Sequence, residues 1–94
     1  MTNLFINIKQ LKEDFERNYG IEIENYNFVK DTDGNIYTLE LTLAEAHISV
    51  VQSTMFETHL KALYPDTLDN VFTRQLPTLL PTITLNFNVD IEEA

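Results

Sequence analysis

Cysteine is absent from these 94 residues, so neither a disulfide framework nor thiolate chemistry is available, and the composition suits a reducing, cytoplasmic setting. Glycine occurs only at Gly20 and Gly34, which excludes a glycine-rich phosphate loop. Basic residues are scarce: six against fifteen acidic ones, for a formal charge of −9. Nucleic acid and anionic membrane surfaces both call for a basic face, so neither is expected as a direct partner. No apolar run approaches the ~20 residues of a membrane span. Met1 to Ile8 also lacks the charged start and long apolar stretch of a signal peptide.

What is present argues for an ordinary folded chain. Hydrophobic residues make up 44% and charged residues 22%, which places the sequence away from disorder. A chain of this size buries roughly 60–68% of its unfolded surface, enough for one modest core, so a single globular domain over residues 1–94 is expected. The charge is uneven. Residues 1–30 carry −1, whereas residues 31–94 carry −8, with Lys61 and Arg74 as their only bases.

The apolar spacing of Leu4, Ile8, Leu11, Phe15 and Tyr19 predicts a helix that begins near Ile8. Asn7 with Gln10 resembles a capping box, and Gly20 stands where a left-handed cap ends the helix. A hairpin follows, with strands over Ile21–Lys30 and Asn35–Thr42 around Asp31-Thr32-Asp33-Gly34. Asp first and Gly fourth suit a type I turn followed by a glycine bulge, which pairs Asp31 with Asn35 and Val29 with Tyr37. A four-residue loop instead sets Phe28 opposite Tyr37 and Tyr26 opposite Leu39, which separates apolar from polar better. The expected register is the one that buries the aromatics, or a bulge near Asn25 that reconciles both. In the other register Tyr26 and Phe28 form an outward patch beside Glu22, Glu24 and Glu40.

From Thr42 to Tyr64 the pattern reads as one long helix, opened by Thr42-Leu43-Ala44-Glu45 and closed by Pro65. The competing reading makes His47–Gln52 a strand, with a helix from Thr54-Met55-Phe56-Glu57. Asp66 is expected to cap a short helix through about Gln75, because Leu68, Val71, Phe72 and Leu76 share a side. Pro77 to Pro81 form a rigid connector. Ile83, Leu85, Phe87, Val89 and Ile91 alternate with polar residues in the last strand, and Ile91–Ala94 is expected to fray. The order helix, strand, strand, helix, helix, strand predicts an α+β fold. It is a two-layer sandwich of about three mainly antiparallel strands packed by two to three helices.

Catalytic chemistry is poorly represented. Asp31-Thr32-Asp33-Gly34-Asn35 has a superficial likeness to a calcium loop, but glycine stands fourth instead of sixth and Thr42 takes the place of the twelfth-position glutamate. His47 and His59, twelve apart, project from different faces of one helix and cannot share a metal. His59 falls on the apolar side and is expected to be partly buried and hydrogen-bonded. Ser49 and Ser53 are not on a strand-to-helix elbow. No catalytic residue, metal or cofactor is therefore expected.

Two functions follow. The first is a small acidic, non-enzymatic protein–protein interaction domain that binds or inhibits a basic protein surface, including one evolved for nucleic acid. Its candidate partner-binding residues are Glu22, Glu24, Tyr26, Phe28 and Glu40. The fifteen scattered carboxylates lack the dense, regular spacing of a phosphate-backbone mimic. The alternative is an assembly subunit that self-associates through the C-terminal strand, whose Asn86 and Asn88 offer little charge to discourage edge pairing.

Overall fold

The computed structural model describes residues 3–94. In chain order the elements are β1 (Leu4–Ile6), α1 (Ile8–Tyr19), β2 (Ile23–Lys30), β3 (Ile36–Leu43), α2 (Val50–Leu63), β4 (Leu68–Arg74), β5 (Thr82–Phe87) and β6 (Ile91–Glu93). The class is α+β, as expected, but with two helices, an antiparallel four-stranded sheet in the order β2-β3-β5-β4, and a separate parallel pair β1-β6.

Helix α1 is read directly from its sequence. Asn7 accepts the Gln10 amide at 3.0 Å, while the Gln10 side chain donates to Asp14 instead of closing the box. Gly20, at φ 66°, ends the helix, and its N–H reaches the Glu16 carbonyl. The buried stripe is Ile8, Leu11 and Phe15.

The hairpin satisfies both of its competing signals through bulges. The Gly34 N–H donates to the Asp31 carbonyl, and Gly34 has φ 85°, so the turn is the glycine-bulge type. A register shift then separates Lys30↔Ile36 from Val29↔Thr38, which sets Phe28 opposite Leu39 and Tyr26 opposite Leu41. The aromatics thereby share the inner face with the core leucines. The shift lies beside Tyr37 and not near Asn25. A second shift, between Ile23 and Asn25, returns Ile23 to the same inner face.

Three expected elements are corrected. The long helix from Thr42 is instead the end of β3, a bend at Ala44–Ala46, and α2 from Val50. Sheet pairing claims Leu43 and Ala44, whose amides donate to the Pro81 and Glu22 carbonyls. The cap of α2 is the reciprocal Ser49–Gln52 box, and not Thr42 or Thr54. Residues 47–52 form no strand, and His47 lies ahead of the helix that carries His59.

The short helix from Asp66 is strand β4. A bulge between Leu68 and Asn70 puts Leu68 and Val71 on one face at a spacing of three, which imitates a helix. Val71, Phe72 and Thr73 suit a pleated surface, and pairing with β5 satisfies their backbone.

Finally, the C-terminal strand does not form an edge. β5 lies between β3 and β4, and Ile91–Ala94, instead of fraying, pairs with β1 through Leu4 N–H to the Asp90 carbonyl and Ala94 N–H to the Ile6 carbonyl, both 2.9 Å.

The core lies between the inner sheet face and the helices. Leu39, Leu41, Ile83 and Leu85 from the two central strands meet Phe15 of α1 and Phe56 and Leu60 of α2. The outer face of the sheet carries Thr38, Glu40, Thr84 and Asn86 and no helix. Among the described residues, no helix is long and apolar enough to cross a membrane.

Candidate functional site

The five candidate partner-binding residues do not form one surface. Tyr26 and Phe28 sit half-buried on the inner face of edge strand β2, packed against the core and meeting edge to face at 6.0 Å. Glu40 occupies the outer face of β3, opposite Asn27 and Thr84. Glu22 precedes β2 and Glu24 falls at its bulge, both exposed. Alternation along the strand separates Tyr26 from Glu40, so a single docked partner cannot span the set as a flat patch.

Asn86 and Asn88 also have internal duties. Asn86 links three strands, accepting from the Thr38 hydroxyl and donating to the Asn70 side chain, each at 2.8 Å. The Asn88 side chain donates to the Asp66 carbonyl at 3.1 Å. With both edges of β5 paired, its backbone offers no free edge for self-association.

A different set of acids is gathered where β6 passes the hairpin turn. Gly34, Asn35 and Ile36 stand beside Asp90, Ile91 and Glu92 around an open cavity of about 260 Å³. Asp31 is consumed by the turn, its carboxylate accepting the Asp33 and Asn35 amides at 2.9 Å each. Glu92 accepts from Asn3 at 3.0 Å. Asp90 Oδ1 is buried and has no hydrogen-bond partner among the described residues. A carboxylate oxygen withdrawn from water and left unpaired is destabilising, so this one is suited to a donor brought from outside.

Next to this lobe, Glu93 accepts the Tyr26 hydroxyl at 2.6 Å, and Lys12 Nζ lies 5.6 Å from the centre of the Tyr26 ring. The hydrogen bond to Glu93 raises the Tyr26 pKa above its usual 10, helped by desolvation and by the Glu93 charge. Tyr26 therefore buttresses the acidic strand instead of presenting itself to a partner. Sequence reasoning missed Asp90, Glu92 and Glu93 because their segment was taken to fray. The available signal was Ile91, which keeps the apolar alternation of β5 going.

The rest of the molecule holds little recognisable catalytic geometry. No group of three or more His, Asp or Glu side chains among the described residues is arranged to hold a metal. His59 is half-buried against Phe15 and Tyr19, with ring centres 5.8 and 5.7 Å away, but its Nε2 has no hydrogen-bond partner, contrary to expectation. No charged residue is buried, and the one ion pair among the described residues joins Arg17 to Asp14. Comparison with protein-family models, curated proteins and solved structures found no match to this chain.

Proposed function

We propose that this chain is a small acidic, non-enzymatic protein–protein interaction domain that docks a basic protein surface against the lobe formed by β6 and the hairpin turn. The observation that carries this reading is Asp90 Oδ1, buried without a donor beside Glu92 in an open cavity. A lysine or arginine side chain entering that cavity supplies the missing hydrogen bond and a compensating charge. The net charge of −9, with one internal ion pair among the described residues, leaves a negative field to steer such a partner in.

The test uses a short lysine- and arginine-rich peptide, titrated calorimetrically at low and at physiological salt. Asp33→Asn/Asp90→Asn/Glu92→Gln removes three charges from the lobe, and Glu22→Gln/Glu24→Gln/Glu40→Gln removes three elsewhere. Contacts of about 0.5–1 kcal/mol each make the first variant bind about ten- to a hundredfold more weakly. The second variant should lose only the small, salt-sensitive share owed to overall charge. Equal losses in both would mean that the peptide follows net charge and that the lobe is not a site.

A further inference from the structure

Helix α2 is apolar on both sides, and only one of them faces the core. Five of the eight large hydrophobic side chains exposed on the molecule lie on or against this helix: Phe5, Val50, Val51, Met55 and Leu63. Val50 and Val51 are 83% and 68% exposed. The outward stripe runs Val51, Met55, Thr58, Ala62 at helical spacing, and Glu57 is turned away to accept from Ser53 and Thr73. Toward the C-terminal end of the stripe lies a cavity of about 340 Å³ lined by Tyr19, Thr54, Met55, Thr58, His59 and Ala62. No acidic or basic side chain lines it. A helix that is apolar all round belongs in an interior.

We propose that this face is the interface between two copies of this chain. The charge distribution selects the occupant. Each copy carries −9, so two copies can approach only through a face free of carboxylates, and the α2 stripe is such a face. A basic partner is drawn instead to the acid-bearing surfaces.

The stripe is also self-complementary. It has protruding valines at its N-terminal end and a hollow at its C-terminal end. An antiparallel crossing about a two-fold axis sets Val51 of each copy against the hollow near Ala62 of the other. α2 is about 21 Å long and 10–12 Å across. The helix alone presents roughly 200–250 Å², and Tyr19, Leu63 and Phe5 widen this toward the tenth of the surface, about 590 Å² of 5862 Å², that a standard interface takes from each partner. The product is a reversible dimer at the small end of that range. This inference is independent of the acidic lobe, which the two-fold pairing leaves outward.

The test is absolute mass by light scattering across protein concentration, at low and high salt. The wild-type chain should pass from the mass of one chain to twice that mass as concentration rises. Salt should favour the dimer, because it screens the mutual repulsion and leaves apolar contact intact. Val51→Glu/Ala62→Glu places carboxylates against each other and should remain monomeric with an unchanged urea midpoint, since both positions are exposed.

A second variant needs no such repulsion. Val51→Cys/Ala62→Cys adds the only thiols in the chain, about 16 Å apart on one helix and so unable to bridge within a copy. Mild oxidation should link two copies covalently. A wild-type monomer at every concentration, a dimer that survives the glutamate pair, or a cysteine variant that stays uncrosslinked would each overturn the proposal. The Asp33→Asn/Asp90→Asn/Glu92→Gln variant should dimerise normally, so failure of the peptide test and failure of this one are separate results.

Discussion

Replacing Phe56 by alanine strikes the contact that holds α2 to the rest of the molecule. Phe56 is fully buried, stacked on Phe15 with ring centres 5.1 Å apart at 25°, and meets Tyr19 edge to face at 5.2 Å. Truncating a buried phenylalanine costs about 3–5 kcal/mol through lost transfer energy and the cavity left behind. A 94-residue domain has roughly 5–14 kcal/mol in total, so the variant should lose a third or more of its stability. With no tryptophan in the chain, urea unfolding is followed by far-UV circular dichroism and tyrosine fluorescence. At a slope of about 1–2 kcal/mol/M the midpoint should fall by about 2 M or more. Val51→Ala, on the exposed side of the same helix, should change stability by no more than about 0.5 kcal/mol. Similar midpoints for the two variants would refute the packing of α2 against α1 through these rings.

Three further perturbations test other parts of the account. Of the four tyrosines, Tyr26 and Tyr64 have their pKa raised above 10, Tyr64 by desolvation and then by the Asp14 charge. Their neutral forms favour the folded state, so this stabilisation is complete below pH 10 and disappears as pH rises through the raised values. An ultraviolet titration should show two late tyrosines, and Tyr26→Phe should leave one. Gly34→Ala should cost about 1–2 kcal/mol in urea unfolding, entirely from its φ of 85°, since a Cβ there meets nothing within 4 Å. Asn86→Lys should lower stability by about 1–3 kcal/mol through loss of the Thr38 and Asn70 links, with no change in oligomer mass by light scattering.

What could be read ahead of the structure was local. Asn7, the stripe Ile8-Leu11-Phe15 and Gly20 determine α1 within one stretch of chain, and Asp31 with Gly34 determines the turn. Bulges defeated the longer readings. One inserted residue at Asp69 gives a strand the three-residue spacing of a helix, and one beside Tyr37 reconciles a turn with an apolar pattern that disagree on paper. The pair β1-β6 is three residues long and parallel, joined across nearly the whole chain, so neither partner carries a readable period. The candidate site depends on that pair. Asp33 and Asp90 meet only because β6 is held beside the hairpin, a fact of topology that no spacing in the sequence expresses.

The most direct test of the central claim is a map of amide chemical shifts in the isotopically labelled chain as the lysine- and arginine-rich peptide is added. The account predicts that the saturable changes concentrate at residues 31–36 and 90–93, with α2 left unmoved. Changes spread evenly over the acidic surface, or centred on Glu22, Glu24 and Glu40, would contradict it.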